Sequence, residues 1–157
     1  MKRLLISMIL FTIVILPSTL WAADPIIGTW KLNVDKSKNL SSQYVIVKIE
    51  EYREIEGGQI EAAIEGTITG GQPVSNKFIF PRQGGMVKYH RVIREGISDV
   101  ETLIAPGEWI VTRMENGKQV SIRHKIVSKD GKTMSQKVRE IDAKGQPFES
   151  LFVYEKQ

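Results

Sequence analysis

Cysteine is absent from all 157 residues, and that single absence excludes three things. No disulfide can brace the fold, no thiolate can act as nucleophile or metal ligand, and no lipid can be attached to a cysteine behind an export signal. Histidine is nearly as scarce: His90 and His124 are the only two. They lie far apart and without His-x-His spacing, so no transition-metal site is expected. A Gly-x-Ser-x-Gly elbow, a phosphate-binding loop and a paired-carboxylate signature are also missing, so no catalytic residue and no cofactor is assigned from a motif. After residue 23 no stretch of ten or more residues carries a helical period, and no Pro/Ser-rich linker or low-complexity run divides the chain. An all-β chain forming one domain is expected.

The one long apolar run stands at the start. Lys2 and Arg3 precede thirteen apolar or weakly polar residues, Leu4 to Leu16, ended by Pro17. Ser18-Thr19-Leu20-Trp21-Ala22-Ala23 then supplies the small residues that signal peptidase requires, with cleavage after Ala22 or Ala23. Thirteen residues are too few to cross a hydrocarbon core of about 30 Å as a helix. Residues 1–22 are therefore read as a signal peptide and 23–157 as the exported domain, periplasmic or secreted, with no membrane span after cleavage. Without Lys2 and Arg3, twenty basic residues face eighteen acidic ones, so the net charge drops from +4 to +2. So nearly neutral a domain gives no electrostatic case for nucleic acid. The basic stretch Lys88-Tyr89-His90-Arg91-Val92-Ile93-Arg94 reads as a solvated strand face.

Turn signals recur at short intervals in the remainder: Glu56-Gly57-Gly58, Gly70-Gly71-Gln72-Pro73, Gln83-Gly84-Gly85, Pro106-Gly107, Asn116-Gly117, Asp130-Gly131 and Gly145-Gln146-Pro147. Between them lie segments rich in Ile, Val, Thr, Phe and Tyr, the spacing of an antiparallel meander that closes into a barrel of about 8–10 strands. The expected strands are 28–33, 43–52, 59–69, 74–80, 86–94, 98–104, 108–115, 118–127, 132–141 and 147–155.

Register can be argued for the last four strands. A two-residue type I′ turn at Asn116-Gly117 pairs Glu115 with Lys118, Arg113 with Val120, Val111 with Ile122 and Trp109 with His124. At the next turn, a two-residue loop would carry Ser135, Lys137 and Arg139 to the core face. A three-residue loop, Lys129-Asp130-Gly131 with Gly131 left-handed, brings Met134, Gln136 and Val138 there instead, so the apolar pattern selects it. Around Gly145 the same reasoning pairs Val138 with Ser150, Gln136 with Phe152 and Met134 with Tyr154. The expected interior rows are Trp109, His124, Gln136, Phe152; then Val111, Ile122, Val138, Ser150; then Arg113, Val120, Glu140, Phe148.

Gly28-Thr29-Trp30-Lys31-Leu32-Asn33, followed by Asp35-Lys36-Ser37-Lys38, Val127-Ser128-Lys129-Asp130-Gly131-Lys132-Thr133 and the ending Tyr154-Glu155-Lys156-Gln157, resembles a group of secreted bacterial lipocalin-like proteins. The Gly-x-Trp opening strand with an antiparallel meander is similar to the calycin superfamily more broadly, which includes lipocalins and fatty-acid-binding proteins. The resemblance implies a calycin-like barrel with an interior, in which Trp30 plugs one end. Two family features are missing. Only about ten residues separate Leu32 from Tyr44, too few for the helix pair of fatty-acid-binding proteins. Their terminal Arg-x-Tyr carboxylate clamp reads Phe152-Val153-Tyr154 here.

The candidate ligand-binding residues are Trp109, Arg113, His124, Gln136 and Phe152. His124 and Gln136 on an apolar face either satisfy each other or orient a polar ligand group, since buried polar groups need partners. Arg113 is either a solvated rim charge or the partner of an anionic head group. Three functions follow. The first is an exported binding protein for a small apolar or amphipathic ligand, with that hydrophobic molecule as its partner. The second is a structural or interaction module with a filled barrel, to which small positions such as Ala62 and Gly66 would belong. The third is a barrel-interior isomerase or cyclase with His124 as acid–base, which lacks a second catalytic group.

Overall fold

The computed structural model describes residues 24–40, 45–68, 71–91, 94–141 and 144–157; the signal peptide read at 1–22 lies outside them. Eleven strands follow in chain order: β1 (Gly28–Leu32), β2 (Val45–Ile55), β3 (Gln59–Ile68), β4 (Pro73–Pro81), β5 (Gly84–Met86), β6 (Lys88–Tyr89), β7 (Ile97–Ala105), β8 (Glu108–Glu115), β9 (Lys118–Val127), β10 (Thr133–Ile141) and β11 (Pro147–Lys156). No helix occurs among the described residues. The strands form one antiparallel sheet in the order β5-β7-β8-β9-β10-β11-β1-β2-β3-β4-β6. The expected all-β meander barrel is what forms.

The count exceeds the expected 8–10 because the segment expected as one strand, 86–94, is not one. Gly84–Met86 pairs with β7, whereas Lys88–Tyr89 pairs with β4. These two outermost strands adjoin through Val87, so one short stretch of chain joins both sheet edges and the barrel is nearly closed.

At the opposite side β1 sits between β11 and β2, with Trp30 paired to Lys156 and to Glu50. Trp30 is completely buried, and its indole Nε1 donates to the Ile26 carbonyl at 2.7 Å. The Lys156 ammonium lies 5.1 Å from the centre of its ring. Gly28 makes this approach feasible: its φ is +132°, and a Cβ there would stand 2.6 Å from Lys156 Cε. The apolar core contains Ile26, Trp30, Ile60, Phe80, Trp109 and Met134. Around it the inner wall carries an unusual number of charged and polar side chains.

Candidate functional site

The Asn116-Gly117 turn forms as expected, with both residues at positive φ and Glu115 opposite Lys118. Met114 pairs with Gln119, but Arg113 then pairs with Ser121 rather than Val120. Val120 is the extra residue of a β-bulge, and every later side chain of β9 faces the other way. Trp109 therefore pairs with Lys125 and Val111 with Arg123.

The following loop is one residue longer than expected. Gly131 is left-handed, with φ 69°, but Ser128 N–H bonds the Thr133 carbonyl and Val127 pairs with Met134. This second shift restores β10, so Gln136 opposite Phe152, Val138 opposite Ser150 and Met134 opposite Tyr154 all stand as expected. The inner rows are Trp109-Lys125-Gln136-Phe152, Val111-Arg123-Val138-Ser150 and Arg113-Ser121-Glu140-Phe148. Only β9 is inverted.

Four of the five candidate residues thus face inward and one does not. Trp109 and Phe152 are buried, and Trp109 meets Phe80 edge-on with centroids 5.5 Å apart. Gln136 is buried, but its amide donates at 2.8 Å to Glu50, not to a histidine. Arg113 is no solvated rim charge: its Nε and Nη2 hold the buried Asp99 carboxylate at 2.9 and 2.6 Å. His124 is the correction. It lies on the outer face, opposite Ile110 and Lys137, with Nε2 2.7 Å from Glu108 Oε1. An interior acid–base role for His124 has no geometric basis.

Lys125 takes the interior place expected for His124. Its ammonium lies 3.0 Å from Glu101 Oε1 and 3.3 Å from the Tyr52 hydroxyl, over the rings of Tyr52 and Phe80 at 5.3 and 5.9 Å. Tyr52 in turn donates to Glu50 Oε2 at 2.5 Å, the oxygen that Gln136 also reaches. Burial raises the Glu101 carboxyl above its ordinary range, against the pull of Lys125. Burial first, then the Glu50 and Glu101 charges, push the Tyr52 phenol well up. Within this cluster, among the described residues, Glu101 Oε2 and Trp109 Nε1 are buried without a hydrogen bond.

Arg123 stands between this cluster and the Asp99–Arg113 pair. Its positive charge lowers the pKa of Tyr52, Asp99, Glu101 and Tyr154 alike, the electrostatic mark of a guanidinium directed into the barrel. It is only partly buried, and among the described residues no side chain or carbonyl bonds it. Its five N–H donors form a planar fork suited to a carboxylate or similar anion. By contrast, in a shallow surface groove of about 380 Å³ the lining residues Asn33 and Glu155 bond each other, and Lys36 also reaches Glu155.

Of the missed residues, Glu50, Tyr52, Asp99, Glu101, Arg123 and Lys125, the last four share one signal. Strand 97–105 carries acids at alternate positions 99 and 101, and strand 118–127 carries cations at alternate positions 123 and 125. Opposite charges with period two on nearby strands are what a polar interior requires.

Neither the family models nor the curated proteins contain a match to this chain. Solved structures do. The wild-type fluorescent protein UnaG superposes with a TM-score of 0.57 at 14% identity, over 83% of this chain and 96% of that one. A point mutant of UnaG gives 0.58 at 14% identity, over 87% and 99%. The fold is calycin-like. At this identity the likeness concerns the barrel alone, and the calycin-like wall carries its own set of inward side chains.

Proposed function

We propose that the chain is an exported calycin-like barrel that takes up a small amphipathic molecule, whose anionic group bonds Arg123 and whose apolar part packs among the inner aromatic residues. The observation that carries this reading is the Arg123 guanidinium, turned inward, partly accessible and, among the described residues, without a hydrogen-bond partner. Unfilled N–H donors on a partly buried guanidinium are unfavourable, and an anionic ligand supplies the missing acceptors. Export is supported by the pattern of residues 2–23. The mass of the secreted protein should correspond to a chain beginning at Ala23 or Asp24.

The test uses two dyes of similar aromatic body, anionic 8-anilinonaphthalene-1-sulfonate and uncharged N-phenyl-1-naphthylamine. Arg123→Met should weaken the anionic dye about 10- to 100-fold, the worth of a charge-assisted hydrogen bond, and leave the neutral dye unchanged. Equal losses would make Arg123 structural. No binding of either dye would favour the filled-barrel module, a reading that draws on the exposed Ile104, Ile126 and Met86.

A further inference from the structure

The stretch from Gly84 to Arg91 closes the barrel in two halves that use different neighbours. Gly84, Gly85 and Met86 pair with Thr102, Glu101 and Val100 of β7, and Val87 N–H bonds the Asp99 carbonyl at 2.9 Å. There the backbone ladder with β7 stops. Lys88 and Tyr89 pair with Ile79 and Phe78 of β4, and His90 N–H bonds the Lys77 carbonyl. Among the described residues, no backbone bond joins Lys88–Arg91 to the facing start of β7. Elsewhere neighbouring long strands share uninterrupted or singly bulged ladders, so this cleft is the barrel wall's weakest line.

Side chains span it instead. The Tyr89 hydroxyl donates to Asp99 Oδ2, and Arg113 grips the same carboxylate from β8 while its Nη2 lies 3.4 Å from the Tyr89 oxygen. The Tyr89 ring also rests on Phe78, with centroids 5.6 Å apart. Asp99 and Arg113 belong to the inner face, and Arg113 stands one inward position, about 7 Å, along the wall from the row that holds Arg123. A molecule entering between β6 and β7 would arrive beside the Arg123 guanidinium.

We infer that the β6–β7 cleft is the entrance of the barrel and that the Tyr89–Asp99 hydrogen bond is its latch. This deepens the ligand reading above and rests on it. The latch works because one phenol hydroxyl replaces a backbone ladder: releasing it lets β6 part from β7 while β5 remains paired. The Asp99–Arg113 pair stays intact, so the Asp99 carboxylate keeps a charged partner in the open form.

The experiment is stopped-flow exchange of 8-anilinonaphthalene-1-sulfonate in the wild type and in Tyr89→Phe, which keeps the ring on Phe78. Association and dissociation should both accelerate about tenfold, the effect of losing one hydrogen bond to a charged group, with the equilibrium affinity within a factor of about two. A second variant, Tyr89→Leu, removes the same hydroxyl and should accelerate both rates at least as much. Unchanged rates in Tyr89→Phe, or in Tyr89→Leu should the first not fold, overturn the latch. If the dye does not bind the wild type, the ligand reading fails and amide exchange decides the latch alone. The Val87 amide should then exchange about tenfold faster in Tyr89→Phe, with the Val138 amide unchanged. Equal exchange at Val87 overturns it.

Discussion

At the scale of single residues, the two buried ion pairs respond to pH with opposite sign. Burial would raise the Asp99 carboxyl, but the hydrogen bonds and charge of Arg113 outweigh it and hold the group below its ordinary value. A lowered carboxyl contributes stability that is complete above its unfolded value and lost as pH falls through the folded one. Glu101 is raised by burial despite Lys125, so its contribution is complete below the unfolded value and lost as pH climbs through the raised one. Asp99→Asn should therefore lose about 3 kcal/mol at pH 7, because Arg113 is left half-buried without its anion. Its deficit against the wild type should shrink between about pH 5 and pH 3, read from urea midpoints. A deficit that grows over that interval would reverse the assignment.

Lys125 gives the second test at this scale. With 2% exposure on both side chains, the Lys125–Glu101 pair is desolvated on both sides. Lys125→Met alone should destabilise by about 3–5 kcal/mol, since it strands Glu101, whereas Lys125→Met with Glu101→Leu should be neutral or stabilising. A double variant as unstable as the single one would mean that packing space, rather than charge, sets the loss.

At the scale of elements, bulges decide which side chains the wall presents inward. The Val120 bulge sends Ser121, Arg123 and Lys125 inside and leaves Ile122, His124 and Ile126 outside. Another lies between Val47 and Ile49, where β2 shifts against Gly66 of β3. A Cβ on Gly66 would stand 2.3 Å from the Ile46 carbonyl oxygen and 2.9 Å from Val47 Cα, both backbone atoms that cannot rotate away. Gly66→Ala should cost about 3 kcal/mol in thermal or urea unfolding through overpacking alone, since Gly66 is not among the positive-φ glycines. Deleting Val120 should be milder, at most about 2 kcal/mol, because the pairing of Arg113 with Ser121 can persist without the extra residue. Retention of the dye site by the deletion variant would verify that Arg123 still faces inward.

At the scale of the molecule, closure depends on the two chain ends meeting. β11 is held by β10 along nine residue pairs and by β1 at Trp30, Lys31 and Leu32, and it contributes buried Phe152 and Tyr154. The Tyr154 hydroxyl crosses to the Val47 carbonyl at 3.0 Å, tying the last strand to the second. A chain truncated after Glu149 should not fold, as seen by loss of tryptophan burial in fluorescence. Partial retention of the barrel would show that β1 and β10 can close without β11.

Much of this barrel is legible in the order of residues. Turn chemistry at Asn116-Gly117 and Pro106-Gly107 locates β8 and β9 to the residue, and the alternation of Met134, Gln136 and Val138 with lysine and arginine orients β10 correctly. Trp30 and Gly28 mark the strand that joins the ends. Such features are local: a glycine with left-handed φ, a period of two, a tryptophan needing cover. The inversion of β9 is not local. Its apolar set, Val120, Ile122 and Ile126, points to the core by hydrophobicity, yet the polar set is inside because Glu101 on β7 and Tyr52 on β2 await it. Distant partners make burial of Lys125 favourable, and only folding brings 52, 101 and 125 together. The sequence by itself determined the strands, the turns and the all-β class through properties of neighbouring residues. Tertiary structure alone decided which face of β9 looks inward, and so that Arg123 rather than His124 meets the barrel interior, because a buried charge is stable only beside partners the linear chain keeps far apart.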